Sequence, residues 1–370
     1  MQKAIAINTG GGDAPGLNAV IRAVVLSATN LGWSVYGIRR GYQGLFEEDG
    51  VVDLTRDTVR GITHLGGTIL GTTNRGNPLS WPVESEDGTV QLVDRSDEVL
   101  EEFRRRELDA LIAIGGDGSL KIASALSEKG LPVVGVPKTI DNDLAATQVT
   151  FGFHTAVATA TDAIGRLHST AEAHGRVMVV ELMGRTAGWI ALYAGVAATA
   201  DIILIPEIPY HLDALCAKIN QRYEAGPGFA IVVAAEGALE AGGSHTFLDH
   251  SEHSQTGESA LSGSARLGGI GEKLARQIEE RTGHETRSLV LGHLQRGGEP
   301  IAYDRLLALR FGSAAVELVR DGCFGCMVAL RPPDVLAVPL SEAVAKIKLV
   351  PTDGDLVRTA RSIGVSFGDE

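Results

Sequence analysis

Residues 108–120 read Leu-Asp-Ala-Leu-Ile-Ala-Ile-Gly-Gly-Asp-Gly-Ser-Leu, an apolar run that ends in a glycine-rich segment. The run over 108–114 predicts a buried β-strand, because short apolar runs bounded by glycine suit a strand that is covered on both faces. Residues 115–119 are then a loop leading to a helix that we expect to start at Leu120. Strand, glycine loop and helix in this order are typical of an α/β sheet.

The same unit recurs along the chain. Residues 3–8 form a predicted strand, residues 10–16 read Gly-Gly-Gly-Asp-Ala-Pro-Gly, and residues 17–28 form a predicted helix. Further strands are expected at 34–38, 131–136, 176–182, 201–205, 229–235 and 328–330, and further helices at 98–107, 154–168, 187–198, 270–281 and 304–319. This alternation predicts doubly wound, largely parallel sheets, whose ligands bind at the carboxyl ends of the strands.

Glycine-rich loops after strands suggest phosphate binding. Glycines let the backbone approach a phosphate and turn N–H groups toward it, at the positive end of the following helix. Asp117, in the loop after 108–114, lies where Mg²⁺ would bridge it to the phosphates of a nucleotide. The loop at 66–75 ends in Arg75, whose guanidinium could clamp a phosphate. The alternatives are a tight turn at 10–16 and a solvated surface arginine at 75.

The segment 137–143 reads Pro-Lys-Thr-Ile-Asp-Asn-Asp and directly follows a predicted strand. If the chain stays extended there, the carboxylates of Asp141 and Asp143 project to one side, where one could accept a proton while the other holds a metal or orients its neighbour. A structural turn is the alternative, because Asp and Asn are common in turns.

Composition excludes several classes of partner. The chain has 370 residues, 44% of them hydrophobic and 21% charged, and a formal net charge of -13. Nucleic acids and membrane surfaces attract basic proteins, so neither is an expected partner. Neither a membrane span nor a signal peptide is indicated, and we expect a cytoplasmic protein.

Two further motifs resemble metal-binding sites, but we do not interpret either of them as one. Cys323 and Cys326 have the spacing of metal or redox cysteines without a second pair of ligands, which favours two inert thiols. The polar insertion at 240–268 contains His245, His250 and His253, but no carboxylate or cysteine framework supports a metal site there.

Five motifs together resemble the 6-phosphofructokinase family. They are the loop at 10–16, Gly-Gly-Asp-Gly-Ser at 115–119, the segment 137–143, Met-Gly-Arg at 183–185 and Gly-His-Leu-Gln-Arg-Gly-Gly at 292–298. The likeness runs in order from about residue 3 to about residue 320. A Gly-Gly-Asp-Gly loop also occurs in NAD kinases and diacylglycerol kinases, but Thr-Ile-Asp-Asn-Asp downstream of it is specific to this family.

The resemblance implies transfer of a phosphoryl group from ATP with Mg²⁺ to the 1-hydroxyl of D-fructose 6-phosphate, a step of glycolysis that yields fructose 1,6-bisphosphate. Asp141 corresponds to the base, and Asp117 to the Mg²⁺ ligand. The other implied catalytic residues are Lys138, Thr139 and Arg185. The implied donor-binding residues are Gly12, Arg75, Gly116, Gly118 and Ser119. The implied sugar-phosphate contacts are Thr139, Asp141, Asp143, Arg176, Met183, Gly184, Arg185, Glu236, Arg287, His293 and Arg296.

The resemblance also implies an organisation. Residues 1–150 with about 295–345 would form the donor-binding domain, and residues 151–294 with about 346–370 the fructose 6-phosphate domain. In the family, the counterparts of Arg176 and Arg287 come from a neighbouring subunit, so we expect a homotetramer, a dimer of dimers with shared active sites.

Several residues of this sequence bear on the identity of the phosphoryl donor. In the family, glycine at the position of Gly118 leaves room for the α-phosphate of a nucleotide, whereas pyrophosphate-dependent members carry aspartate. Lys138, by contrast, is typical of the pyrophosphate-dependent members. Arg75 lies one residue further from its glycine than in the common bacterial pattern, and Ile122 replaces a glycine near the adenine. ATP is favoured, with pyrophosphate, ADP and a non-catalytic binding subunit as alternatives.

Overall fold

The structure is a computed structural model that describes residues 2–73, 76–84, 88–226, 228–247 and 267–370. Arg75 and most of the 240–268 insertion, including His250 and His253, lie outside these residues. The chain divides into two compact units. Unit 1 comprises Met1–Thr139, Asp143–His154 and Arg296–Ile347, and unit 2 comprises Ile140–Asn142, Thr155–Gln295 and Lys348–Glu370.

Strands and helices alternate along most of the chain. The strands are β1 Ala4–Thr9, β2 Ser34–Ile38, β3 Val51–Asp53, β4 Trp81–Glu84, β5 Val90–Val93, β6 Ala110–Gly115, β7 Val133–Pro137, β8 Val177–Leu182, β9 Ile202–Leu204, β10 Ala230–Ala235, β11 Thr286–Val290, β12 Cys326–Arg331 and β13 Asp334–Pro339. The helices are α1 Leu17–Asn30, α2 Ser96–Arg105, α3 Asp117–Glu128, α4 Phe153–His174, α5 Trp189–Ala197, α6 Leu212–Glu224, α7 Ile270–Thr282, α8 Ala302–Arg320, α9 Leu340–Ala343 and α10 Asp355–Ser362.

Unit 1 contains a sheet of strand order β13-β12-β7-β6-β1-β2-β3. Its five central strands are parallel, and only the edge strands β3 and β13 pair antiparallel. The chain runs outward from β1 through β2 and then returns to β6 on the other side of β1. This reversal of strand order leaves a crevice at the carboxyl ends of β1 and β6, where ligands of such sheets bind.

Unit 2 contains a four-stranded, all-parallel sheet of order β11-β8-β10-β9. Every residue of β10 is buried, as expected for a strand with helices on both faces. β11 is an edge strand, and its residues after Thr286 are exposed. The two sheets confirm the predicted fold class.

The structure corrects four local predictions. α3 begins at Asp117 rather than Leu120, because aspartate is favoured in the first turn of a helix and Gly116 takes an extended conformation before it. α4 continues to His174. The polar excursion at 77–94 contains the hairpin of β4 and β5, and the mixed tail forms β13, α9 and α10. Among the described residues, no helix has the length and apolar character needed to cross a membrane.

Candidate active site

Three neighbouring strands of unit 1 bring three predicted loops to one edge of the sheet. β6 pairs with β1 on one side and with β7 on the other, with Thr9 opposite Ile114 and Gly115 opposite Pro137. The pairing extends one residue beyond the strands, because Gly10 N donates to Ile114 O at 3.0 Å and Lys138 N donates to Gly115 O at 2.8 Å. The loop at 10–16, the start of α3 at 116–119 and the segment that begins at Lys138 therefore leave the sheet side by side.

Close packing at this edge requires glycine. A Cβ atom on Gly115 would lie 2.2 Å from Ser119 Cβ, and one on Gly10 would lie 2.7 Å from Ser119 Oγ. Real Cβ atoms do not approach other atoms so closely, so the side chain of Ser119 fills the space that these glycines leave. Ser119 thus joins the loop after β1 to the start of α3.

Two cations lie against the loop at 10–16. Lys138 is 3% exposed, and its Nζ donates to Gly12 O. Arg296 Nη1 donates to Asp13 O at 3.1 Å and would lie 2.9 Å from a Cβ atom on Gly12. A buried ammonium and a guanidinium beside backbone amides suit a ligand that carries phosphate. Arg296, which was predicted to bind the sugar phosphate, therefore lies beside the predicted donor loop.

The N-terminus of α3 presents Asp117, Gly118 and Ser119 in its first turn. Asp117 Oδ2 accepts a hydrogen bond from Lys121 Nζ at 2.7 Å, one helical turn later. A Cβ atom on Gly118 would meet no atom within 4 Å. The space at Gly118 is therefore open, and the Cβ atom of a larger residue there would not clash with the protein.

Asp117 fits a Mg²⁺ ion that is shared with phosphates. Among the residues described, no three His, Cys, Asp or Glu side chains cluster as a metal cage made only of protein would require. Mg²⁺ commonly binds through one or two carboxylates, waters and substrate phosphates, so one carboxylate at a helix N-terminus is compatible with it.

Asn18 and Thr72 are site residues that the sequence analysis missed. Asn18 is 1% exposed, and its side chain bonds to Leu65 O, Gly66 O and Ile69 N. Thr72 Oγ1 donates to Gly11 O at 2.5 Å. Together they fix the loop that leads to Arg75 against α1 and the loop at 10–16. The signal in the sequence was an asparagine near the start of a mostly apolar helix, where a buried polar side chain needs hydrogen-bond partners.

The segment after β7 is not extended. Asn142 has φ of 52°, in the left-handed region, so the expected projection of Asp141 and Asp143 to one side does not follow from strand alternation. Asp141 belongs to unit 2, whereas Thr139 and Asp143 belong to unit 1. Thr139 and Asp141 are 7% and 4% exposed, which is unusual for residues of an ordinary surface turn.

In unit 2 the predicted sugar-binding residues follow neighbouring strands. Glu236, just after β10, accepts hydrogen bonds from Gly184 N at 3.4 Å and Arg185 N at 2.9 Å, both just after β8. A Cβ atom on Gly237 would lie 2.0 Å from Arg185 O, so glycine is required there. Met183 begins this turn, and the exposed His293 follows β11.

Burial raises the pKa of the Glu236 carboxyl, and the nearby Asp141 carboxylate raises it further. The backbone hydrogen bonds from Arg185 and Gly184 act in the opposite direction because they stabilise the ionised form. Asp141 and Glu236 therefore form a close acidic pair within unit 2.

Arg176 and Arg287 lie at the opposite edge of the unit 2 sheet. Arg176 immediately precedes the six residues of β8, so it lies about 20 Å from Met183 at the far end of that strand. Arg287 is opposite Met178. Both guanidiniums pair with Glu285, at 2.9 Å and 2.5 Å. Within one chain, both arginines therefore lie toward the end of the strands that is opposite to Arg185 and Glu236.

Glycine-rich segments with a buried lysine and a half-buried arginine at the carboxyl edge of a parallel sheet, and a buried carboxylate turn, define a phosphate-binding α/β protein equipped for phosphoryl transfer. A comparison with protein families agrees with this class, because the phosphofructokinase model matches residues 4–319. The chain belongs to the phosphofructokinase family.

Relatives at similar distance carry two different donor names. An ATP-dependent 6-phosphofructokinase of Chloroflexus aurantiacus is 50% identical over 369 residues, covering 99% of this chain and 98% of the relative. A pyrophosphate--fructose 6-phosphate 1-phosphotransferase of Streptomyces coelicolor is 49% identical over 366 residues, covering 98% and 99%. Overall identity alone therefore does not separate the donors.

Among solved structures, Pichia pastoris phosphofructokinase in the T-state matches with a TM-score of 0.77 and 31% identity. The match covers 93% of this chain and 36% of that chain, so this chain spans about a third of that protein's length.

The raised pKa of Glu236 gives a testable stability effect. Ionising this buried carboxyl costs stability in the folded state, so wild-type stability falls as pH rises from the ordinary glutamate range through the raised pKa. Glu236→Gln keeps an acceptor for Gly184 N and Arg185 N and has no charge to bury. We expect its free energy of unfolding to exceed that of the wild type near neutral pH, and the difference to vanish in acid.

Urea unfolding between pH 4 and pH 8 measures this difference. Glu224→Gln, which removes the same charge from an exposed position, corrects for the change in net charge. If the wild-type protein instead became more stable relative to Glu236→Gln as pH rises, the raised pKa of Glu236 would be contradicted.

Proposed function

We propose that this chain catalyses transfer of the γ-phosphoryl group of ATP to the 1-hydroxyl of D-fructose 6-phosphate, giving fructose 1,6-bisphosphate for glycolysis. The observation that carries the proposal is the donor edge of unit 1, where the Lys138 ammonium, the loop at 10–16 and the open N-terminus of α3 lie on adjacent strands. Family membership supports the class of reaction, and the individual residues support the roles that the reaction requires.

Asp141 acts as the base that accepts the proton of the sugar hydroxyl. Its burial removes competing water, and the neighbouring Thr139 and Asp143 orient the hydroxyl and the moving phosphoryl group. Arg185 and Lys138 place positive charge around the loose transition state of phosphoryl transfer. Arg75 is assigned the same task on family grounds, and it lies outside the described residues.

The donor would bind to Gly12 in the loop at 10–16 and to Gly116, Gly118 and Ser119 at the start of α3. These glycines let backbone N–H groups face the phosphates, and the N-terminus of α3 adds the positive end of its dipole. Mg²⁺ held by Asp117 would neutralise phosphate charge during transfer. To bind that ion, Asp117 shares or gives up its bond with Lys121.

Two residues favour different donors. The open space at Gly118 favours ATP, because a nucleotide needs room for its α-phosphate. Lys138 favours pyrophosphate, and the Streptomyces coelicolor relative with that activity is 49% identical. We infer ATP as the donor because Lys138 already bonds to Gly12 O and obstructs no space at Gly118, whereas an aspartate at 118 would repel a nucleotide. Pyrophosphate is the second candidate.

Gly118→Asp tests this choice of donor. The new carboxylate would face the α-phosphate, and such like-charge contacts cost several kcal/mol, so kcat/KM for ATP should fall ~100-fold or more. Pyrophosphate has only two phosphates, which correspond to the β- and γ-phosphates of ATP, so it has no group that would face the new carboxylate. Its kcat/KM should therefore fall far less.

Gly165→Asp is the matched control, since Gly165 is also a helical glycine with nothing within 4 Å of its Cβ position. Initial rates with both donors report the effect. Equal losses for ATP and pyrophosphate in Gly118→Asp would contradict the assigned role of this position.

We further propose that the active site is shared between subunits. Arg176 lies about 20 Å from the carboxyl end of β8, and Arg287, opposite Met178, lies about 13 Å from it along the strand. Both arginines would bind the sugar phosphate of a neighbouring subunit. The proposed assembly is a cytoplasmic homotetramer built from dimers. Met183, Gly184, Glu236 and His293 would contact the sugar from the same chain as Asp141, with Arg296 near the transferred group.

Mixing two inactive variants tests the shared site. Asp141→Ser and Arg287→Ala should each be nearly inactive alone. In a hybrid dimer, one site would receive an intact Asp141 from one chain and an intact Arg287 from the other. After denaturation and joint refolding, activity should recover to about a quarter of the wild-type value.

The control mixture combines Asp141→Ser with Arg185→Ala. These residues would serve one site from one chain, so every hybrid site keeps a defect. Failure of the first mixture to recover would show that Arg287 is not exchanged between subunits. Recovery in the control would show that Asp141 and Arg185 do not serve one site from one chain.

A further inference from the structure

The conformation of Asn142 needs support from elsewhere in the chain. Asn142 is 4% exposed and has a φ of 52°. Residues other than glycine rarely adopt this left-handed conformation, although asparagine tolerates it better than most. It is adjacent to Asp141, so the direction of the Asp141 carboxylate depends on the backbone of Asn142. A residue that fixes Asn142 would therefore also fix Asp141.

Lys348 makes that contact. Its Nζ donates to Asn142 Oδ1 at 2.8 Å, across 206 positions of sequence. Both residues belong to unit 2, in which Lys348 begins the last segment of the chain. A hydrogen bond from a charged donor is stronger than one between neutral groups, and partial burial of this bond limits competition by water.

Lys348 is itself held at both ends. Its ammonium lies 5.7 Å from the centroid of the Trp189 ring, and its carbonyl accepts a hydrogen bond from Trp189 Nε1 at 2.8 Å. Glu207 ties the same segment to the start of α5, because its Oε1 accepts from Val350 N at 2.8 Å and from Gly188 N at 3.0 Å. The lysine thus connects α5 to the turn that carries Asp141.

We propose that Lys348 is a positioning residue for phosphoryl transfer, holding Asn142 in its left-handed conformation and thereby directing the Asp141 carboxylate toward the sugar hydroxyl. This inference rests on the proposed function. The role is distinct from sugar binding, so loss of Lys348 should affect kcat rather than the affinity for fructose 6-phosphate.

Lys348→Met tests the proposal because it keeps the apolar stem and removes the donor. A displacement of about 1 Å in a catalytic group costs on the order of 100-fold, so we expect kcat to fall about 10- to 100-fold while KM for fructose 6-phosphate changes less than about 3-fold. Lys346→Met is the matched control at an exposed position two residues earlier, and it should behave like the wild type.

Variants of Asn142 test the same Lys348–Asn142 hydrogen bond by changing its acceptor. They keep the proposal testable if Lys348→Met folds poorly. Asn142→Gly adopts a left-handed conformation without support and should keep more of its kcat than Asn142→Ala. Adding Lys348→Met to either Asn142 variant should cause little further loss, since the bond is already gone.

The outcomes separate the two proposals. If the wild type phosphorylates fructose 6-phosphate but Lys348→Met keeps its kcat, or if the losses from Lys348 and Asn142 variants simply add, the positioning role is wrong and the proposed function stands. If the wild type does not phosphorylate fructose 6-phosphate, the proposed function fails and the positioning role fails with it.

Discussion

Parallel pairing of β1, β6 and β7 is the constraint on which the proposed donor site depends. Because the three strands are in register, Gly10, Gly116 and Lys138 leave the same edge of the sheet, and their loops meet without a long excursion of the chain. The contacts of Ser119 with Gly10 and Gly115 then leave no room for larger residues. The arrangement is thus held by buried strands rather than by the loops themselves, which suits a site that must be preorganised.

In unit 2, the parallel direction of the strands determines at which edge of the sheet each polar residue lies. Glu236 and the turn of Gly184 and Arg185 follow parallel neighbours, whereas Arg176 and Arg287 lie at the opposite ends of the strands. One sheet therefore offers two separate sets of polar residues. This separation is the reason for proposing an oligomer, in which a second chain would bring the two sets to one ligand.

Sequence patterns predicted most of the fold because buried parallel strands are continuous apolar runs and the glycine loops mark their ends. They misplaced the start of α3, since Asp117, Gly118 and Ser119 suit a loop as well as a first helical turn. They could not reveal the left-handed Asn142, nor a contact made by Lys348 across 206 positions. The roles of the individual site residues stay predictions, resting on geometry and family membership.

The central claim is phosphoryl transfer from ATP to fructose 6-phosphate, and one measurement tests it most directly. Initial rates of the purified wild-type protein with fructose 6-phosphate and Mg²⁺ are compared for ATP, ADP and pyrophosphate at equal concentration, with the product identified by phosphorus NMR. The account predicts fructose 1,6-bisphosphate, formed fastest with ATP. Faster formation with pyrophosphate, or no bisphosphate with any donor, would contradict it.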